Sequence, residues 1–151
     1  MDNIQLTNFI KTLDPGIEVK TGKQFVESDL PPDKVRSVAQ ALRNAEETYL
    51  DYLVCISGID YGDDLGVVYH LASSKHSHMI VLRTRTSDRK NPELPSVSDI
   101  WRTADFHERE VYDLLGIKFT GHPDLRRLFL TNAWGFPLRK DYKDEINIVT
   151  K

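Results

Sequence analysis

The stretch 96–116 constrains the fold of this 151-residue chain more than any other. It begins with a capping pattern, Ser96 followed three residues later by Asp99, and it ends at Gly116, where a glycine can take the left-handed conformation that closes a helix. At about 100° per residue, its apolar positions fall on one stripe. They are Val97, Ile100, Trp101, Ala104, Val111 and Leu115. The spacing predicts one long helix that starts at residue 96 and stops at residue 116.

A carboxylate, that of Glu108, falls near the middle of this apolar stripe. Burying an unpaired carboxylate is costly, so Glu108 must be protonated, be solvated in a cleft or meet a cation. Arginine has the planar fork that suits a carboxylate, and basic residues follow in the irregular segment after the helix. They are Arg126, Arg127, Arg139 and Lys140. We predict that this segment is clamped to the helix, with Glu108 paired to one of these cations or to a cation of a partner protein.

Composition favours one domain without a membrane span. Of the residues, 40% are hydrophobic, and domains typically run about 100 to 150 residues. The net charge of −3 gives no general reason to expect nucleic acid. No apolar run approaches the roughly 20 residues that cross a bilayer, and the N-terminus lacks the pattern of a signal peptide. We expect the chain to stay in the cytosol or on the cytosolic face of a membrane.

The single cysteine limits the cofactors that the chain could hold by itself. Cys55 lies in a strand-like apolar run, where a thiol is usually a small buried hydrophobe. An iron–sulfur cluster needs several thiolates, and a structural zinc site needs several Cys or His ligands. His70 and His78 could face each other on neighbouring strands, near His76, but a metal there would lack further ligands. We therefore expect no catalytic, cofactor-binding or metal-binding residue in this chain.

The remaining periodicities predict an α+β fold. Apolar spacing indicates a helix at 4–13, a hairpin of strands 17–20 and 24–27, and a helix after Pro31 and Pro32 that is capped by Asp33 or Asp29. Three longer strands at 48–57, 65–72 and 78–86 have short polar connections typical of an antiparallel meander, and 88–95 is predicted to be a loop. We expect two layers, with a mixed or antiparallel sheet of about five strands and helices on one face. Residues 1–118 would form this domain and 119–151 an extended C-terminal tail.

Two side-chain clusters suggest function. His107, Glu108 and Glu110 could belong to a stand-alone hydrolase, but the two carboxylates lie about 200° apart around a helix, and Val111 stands where a zinc-protease helix needs histidine. In the tail, basic residues alternate with aromatic ones, as in proteins that bind single-stranded nucleic acid. The aromatic residues are Phe129, Trp134, Phe136 and Tyr142, and two acidic residues, Asp124 and Asp141, interrupt the cluster. These residue types are also enriched at protein interfaces, so we predict a large protein partner and no nucleic acid.

The segments 104–127 and 137–142 closely resemble the signature of the C subunit, also called the thirty-kilodalton subunit, of proton-translocating NADH:quinone oxidoreductase, which is respiratory complex I. The resemblance is strongest over residues 96–142 and departs from the family at Lys143, where a proline is common. It implies that the family motif and the subunit interface consist of fifteen residues. They are Glu108, Arg109, Glu110, Asp113, Gly116, His122, Pro123, Arg126, Arg127, Trp134, Pro137, Arg139, Lys140, Asp141 and Tyr142.

The resemblance implies a non-catalytic subunit of the hydrophilic, peripheral arm. Such a subunit packs on the large D subunit, also called the forty-nine-kilodalton subunit, and near the iron–sulfur subunits, while the complex couples electron transfer to quinone with proton translocation. It holds no cofactor itself, although the complex as a whole carries FMN, iron–sulfur clusters and quinone, and it lies peripherally on the cytoplasmic side of the membrane. An equivalent subunit of a membrane-bound nickel–iron hydrogenase or a formate hydrogenlyase is the alternative. Fused C–D chains occur in the family, and we expect this shorter chain not to be one.

Overall fold

The computed structural model describes residues 1–143, and these form three α-helices and seven β-strands. The helices are α1 (Asn3–Leu13), α2 (Val35–Asn44) and α3 (Ala104–Leu115). The strands are β1 (Glu18–Thr21), β2 (Val26–Asp29), β3 (Tyr52–Asp60), β4 (Leu65–Ala72), β5 (Met79–Thr86), β6 (Glu93–Pro95) and β7 (Lys118–Thr120). Two short 3₁₀ turns, Pro32–Lys34 and Asn132–Trp134, complete the regular structure.

The first five strands form one mixed sheet in the order β1-β2-β5-β4-β3. The pair β2 and β5 is parallel, and the other neighbours are antiparallel. Strands β6 and β7 form a separate parallel pair. The predicted α+β class, with a mixed sheet of about five strands, is confirmed.

One face of the sheet carries most of the core. Along β4, Leu65, Val67, Tyr69 and Leu71 alternate towards this face and are almost completely buried, as the period of a strand requires. Helix α3 packs on this side of β3 so closely that a Cβ atom on Gly58 would lie 2.4 Å from Leu115 Cδ1. A glycine in the edge strand therefore fixes the distance between α3 and the sheet.

The first two helices confirm their predicted positions. The apolar face of α2 is buried, with Val35, Val38, Ala39 and Leu42 each at most 3% exposed. The prediction that Asp33 or Asp29 caps α2 is wrong, since no side chain caps it. The 3₁₀ turn that precedes α2 already provides an acceptor, because the N–H of Val35 donates to the carbonyl of Pro32.

The predicted long helix is shorter than its apolar stripe. Helix α3 begins at Ala104, and residues 96–103 are turns closed by bonds from Ile100 and Trp101 to the carbonyl of Val97. The capping box of Ser96 and Asp99 is therefore wrong. The Ser96 hydroxyl is used by Glu108 instead, and the carboxylate of Asp99 receives Arg36 at 2.7 Å. The six apolar positions of the stripe are nevertheless all buried, and the predicted end at Gly116 is confirmed by its φ of 76°.

The five predicted strands are all present, although some are displaced along the chain. Strand β3 covers 52–60 rather than 48–57, and the predicted loop 88–95 contains β6. Strand β6 pairs with β7, which lies far along the chain, so local pattern could not show it. His70 lies opposite Val81, and the prediction that it could face His78 is wrong, because the β4–β5 turn brings His78 next to Ser73.

The predicted boundary between residues 118 and 119 falls inside β7. Phe119 is 2% exposed and belongs to the hydrophobic core. We therefore use the word tail for residues 121–143; the predicted tail also includes residues 144–151, which lie outside the described residues. No helix within residues 1–143 is long and apolar enough to cross a membrane.

Candidate functional site

Glu108 sits at the centre of the motif and is completely buried. Its carboxylate accepts hydrogen bonds from the Ser96 hydroxyl and from the N–H of Val97, both at 2.7 Å. Burial raises the pKa of Glu108 to about 6, although both bonds oppose this shift. The predicted pairing with Arg126, Arg127, Arg139 or Lys140 is wrong, because the turn at 96–103 folds back and supplies neutral donors. The nearest basic group is the ring of His122, with Nε2 at 3.9 Å.

His122 joins the tail to the beginning of α3. Its side chain is completely buried, and its Nε2 lies 3.2 Å from the carbonyl and 3.3 Å from a carboxylate oxygen of Asp105. Its Nδ1 accepts the N–H of Asp124 at 3.0 Å. This pattern assigns the neutral tautomer with the proton on Nε2. His122 thus binds both the tail and the helix through one ring.

Asp113 anchors the middle of the tail. Its carboxylate is completely buried and accepts bonds from Arg127 Nε at 2.7 Å and from the N–H groups of Phe129 and Leu130 at 2.8 and 3.2 Å. Burial alone would raise the pKa of Asp113, but these bonds hold it below its usual value. Arg127 also donates to the carbonyls of Asp113 and Gly135. The predicted clamp between helix and tail exists, with Asp113 rather than Glu108 as the carboxylate.

Two arginines of the motif, Arg109 and Arg126, differ in burial and in their contacts. Arg109, on α3, is 7% exposed and donates to the carbonyls of Arg126 and Arg127 at 3.3 and 3.4 Å. The side chain of Arg126 points into solvent and pairs with Asp124 at 2.9 Å. Of these two, Arg109 therefore holds the tail, and Arg126 stays exposed at its surface.

The C-terminal end of α3 is closed by the tail. Arg139 donates from Nε to the carbonyl of Leu115 at 2.7 Å and from Nη1 to the carbonyl of Arg89 at 3.0 Å. The ring of Phe136 lies near two guanidinium groups, 5.3 Å from that of Arg127 and 5.0 Å from that of Arg139. A Cβ atom on Gly116 would lie 2.6 Å from this ring. Gly116 is therefore needed both for its left-handed backbone and for the space that Phe136 fills.

A second carboxylate anchor was not predicted from the sequence. Asp60, at the end of β3, makes a bidentate pair with Arg89 at 2.8 and 2.9 Å and accepts the N–H of Lys140 at 2.9 Å. The Arg89 guanidinium holds the pKa of Asp60 far below its usual range. Asp141 also approaches Arg89, at 3.6 Å. The only sequence signal was the polar turn after Asp60, and nothing in the spacing pointed to Arg89.

Large apolar side chains project outward from this anchored segment. The exposed fractions are 74% for Phe129, 47% for Trp134 and 59% for Leu138, and Phe106 on α3 is 63% exposed. Pro123 is exposed too, while Pro137 and Tyr142 are half-buried. We call the four large exposed residues the apolar tail face. Interfaces commonly combine such groups with arginine, here Arg126.

The proposed hydrolase residues do not converge. Glu108 faces the interior, whereas His107 and Glu110 line a groove of about 300 Å³ between α3 and the edge strand β3. Cys55 also lines this groove; it is half-buried rather than buried, and its Sγ lies 3.5 Å from His70 Nδ1. Within residues 1–143, no three His, Cys, Asp or Glu side chains are grouped to hold a metal ion.

The fold matches that of a chain in a solved membrane complex. It superposes on a chain in the structure of the membrane-bound sulfane sulfur reductase, an archaeal respiratory membrane complex, with a TM-score of 0.81 and 23% sequence identity. The superposition covers 95% of this chain and 86% of that chain. At this identity the likeness defines the fold.

The sequence assigns the family. Residues 28–146 match the profile of the family described as respiratory-chain NADH dehydrogenase, 30 Kd subunit, and the chain belongs to this family. It is 50% identical over 121 residues to the C/D subunit of NADH-quinone oxidoreductase from Phocaeicola vulgatus, covering 79% of this chain and 23% of that protein. It is 48% identical over 114 residues to the C subunit of NADH-quinone oxidoreductase from Chloroherpeton thalassium, covering 74% and 47%. The matched region thus spans less than half the length of either relative.

Proposed function

We propose that this chain is a non-catalytic subunit of an NADH:quinone oxidoreductase-type complex that couples electron transfer to quinone with proton translocation. It would lie in the peripheral arm on the cytoplasmic side of the membrane and pack on the large D subunit, next to the iron–sulfur subunits. FMN, the clusters and quinone would be held by other subunits. Family membership and the single cysteine support this assignment.

The observation that carries the proposal is the way the tail is held. Three buried side chains, Asp113, Asp60 and His122, fix it to the domain at three separate points. Main-chain N–H groups of the tail bind Asp113 and Asp60, and the His122 ring binds α3, so the course of the tail is set before any partner binds. The interior contacts leave the apolar tail face directed outward. A preorganised segment of this kind loses little conformational freedom on association, which favours a docking role.

The alternative complexes share this architecture, so the partner decides between them. The named relatives are NADH-quinone oxidoreductase subunits, and this favours complex I over a nickel–iron hydrogenase or a formate hydrogenlyase. Affinity purification of the tagged chain from membranes should recover a D-type subunit together with NADH-oxidising subunits. Recovery of hydrogenase or formate dehydrogenase subunits instead would reassign the chain to the alternative complexes.

A test of the purified chain separates the docking role from the hydrolase alternative. The chain alone should be inert with NADH and quinone, and inert in hydrolase assays. Turnover that is abolished by Glu110→Ala would contradict the proposal, because the groove side of α3 would then contain an active site.

A further inference from the structure

The groove between α3 and β3 has the form of a site for strand addition. One wall is the outer edge of the sheet, since β3 is the last strand in the order. The other wall is one face of α3, on which His107, Glu110, Val111 and Leu114 recur at helical spacing. Seven residues of helix and three of strand both measure about 10 Å, so the groove is long enough for about three residues of extended chain.

The backbone of the edge strand offers hydrogen-bonding groups to the groove. Tyr61 donates to the carbonyl of Asp64 at 2.8 Å in the turn that follows β3. Along an antiparallel pair, successive residues direct their backbone N–H and C=O groups alternately towards and away from the partner strand. The backbone groups of Ser57 and Ile59 therefore point towards β4, and those of Ile56 and Gly58 point outward. Within residues 1–143, the outward groups of Ile56 and Gly58 make no hydrogen bond. These groups can pair with the backbone of another chain.

The edge is protected at its two ends, by a bulge at the start of β3 and by Asp60 with the tail at its end, but not between them. Natural edge strands are usually blocked by a bulge, a charge, a proline or a covering segment. Strand β3 has a bulge between Leu53 and Cys55, next to the exposed side chains of Tyr52 and Val54. The following residues, 55–58, carry neither charge nor proline. This unblocked part is the part that lines the groove.

The charge of the groove indicates the chemistry of its occupant. Glu110 is half-buried. Among the described residues that line the groove it is the only carboxylate, and the other two titratable side chains are His107 and Cys55. The carboxylate of Glu110 makes no salt bridge or hydrogen bond with the described residues 1–143. Apart from His107 and Ser57, the other side chains of the groove are mainly apolar, and they include Leu138 of the apolar tail face. An extended apolar segment carrying a lysine or arginine opposite Glu110 would satisfy both properties.

We propose that an extended segment of a partner subunit adds as a sixth strand to β3, with apolar side chains against α3 and a basic side chain on Glu110. The inference rests on the proposed function, because the occupant comes from a subunit of the same complex. It goes beyond that function by naming a second contact, distinct from the anchored tail, and its mode of binding. The groove and the apolar tail face would meet the partner over one continuous surface through Leu138.

Hydrogen exchange resolved to single amides tests the inference on the chain alone and in its complex with the D-type subunit. In the dilute free chain, the amides of Ile56 and Gly58 should exchange fast, and those of Ser57 and Ile59 slowly. In the complex, Ile56 and Gly58 should slow by at least about tenfold. Thr21, on the opposite edge of the sheet, serves as the reference and should not change.

A pair of variants tests the charge. Glu110→Gln should weaken the complex about twofold to fivefold, the size expected for losing a partly exposed ion pair. Glu47→Gln, an exposed glutamate without a bond in the described structure, is the matched control and should leave the affinity unchanged. Equal affinities for both variants would contradict the role of Glu110.

The possible failures are distinguishable. Assembly with unchanged exchange at Ile56 and Gly58 would overturn strand addition and leave the proposed function intact. Absence of any complex would overturn both. Protection of these amides in the dilute free chain would show that this chain fills its own groove. Protection that grows with the concentration of the free chain would show that a second copy is the occupant. Either result would overturn the inference.

Discussion

Replacing Asp113 with alanine should release the middle of the tail without unfolding the domain. The carboxylate accepts three hydrogen bonds, from Arg127, Phe129 and Leu130. Removing one partner of a buried ion pair costs about 3 to 5 kcal/mol. The Arg127 side chain keeps 11% exposure and its bonds to main-chain carbonyls, so the loss should lie near the lower limit, at about 3 kcal/mol. At about 1.4 kcal/mol per factor of ten, this is roughly a 100-fold change in local opening.

Hydrogen exchange at Trp134 measures this release. Its N–H bonds to the carbonyl of Thr131 and does not contact Asp113, so faster exchange would report the opening of the segment rather than the loss of an acceptor. The matched control is Asp124→Ala, which removes the exposed pair with Arg126 and should change nothing measurable. Acceleration of less than about threefold in Asp113→Ala, or equal acceleration in the control, would refute the anchor.

Three further predictions concern stability. Gly116→Ala should lower the free energy of unfolding in urea by about 2 to 3 kcal/mol, because a Cβ atom there meets the ring of Phe136. The control is Gly62→Ala, at a φ of 96°, where a Cβ atom would have no described neighbour within 4 Å, and it should cost only about 1 kcal/mol. Equal losses in the two variants would contradict the contact with Phe136. The folded-state pKa of Glu108, about 6, exceeds the unfolded value of 4.5, so Glu108 stays protonated to a higher pH in the folded state. The free energy of unfolding should therefore fall by about 2 kcal/mol as the pH rises across this window. The difference between wild type and Glu108→Gln in thermal unfolding isolates this slope, and a flat difference would contradict it. The pKa of Asp60 is depressed, so its contribution to the free energy of unfolding is present above pH 3.8 and is lost as the pH falls through the folded-state pKa. Asp60→Asn should remove this acid-sensitive contribution. An acid unfolding transition that is the same in the variant and the wild type would contradict it.

Local periodicity was enough for most of the fold. The apolar face of α2 and the alternation of Leu65, Val67, Tyr69 and Leu71 indicated the right elements, because each pattern depends on neighbours in sequence. The start of α3 was missed because Ser96 has two possible uses, as a helix cap and as a donor to a carboxylate. Sequence alone does not say whether the backbone N–H that a cap would accept or the carboxylate of Glu108 lies nearer to the Ser96 hydroxyl. Strands β6 and β7 were missed because their pairing is non-local.

The site was predictable in kind but not in its pairing. A buried carboxylate among apolar residues, with arginines downstream, correctly predicted a clamp between α3 and the tail. The carboxylate that pairs with Arg127 is Asp113, five residues beyond Glu108, and Asp113 lies outside the predicted apolar stripe. Its burial comes from the tail itself, which covers that side of the helix. Asp60 and Arg89 lie on other elements and meet only in the folded chain, so no spacing rule could connect them.

Quinone reductase activity per assembled complex tests the central claim most directly. In Phe129→Ser with Trp134→Ser, the amount of assembled complex should fall strongly, since true interface hot spots each contribute roughly 2 kcal/mol or more. The complexes that do assemble should keep wild-type specific activity. Ile4→Ser, which removes a side chain 70% exposed on α1, is the control and should assemble normally. Normal assembly with lost activity in the double variant would contradict the account, because the tail would then act on the reaction rather than on docking.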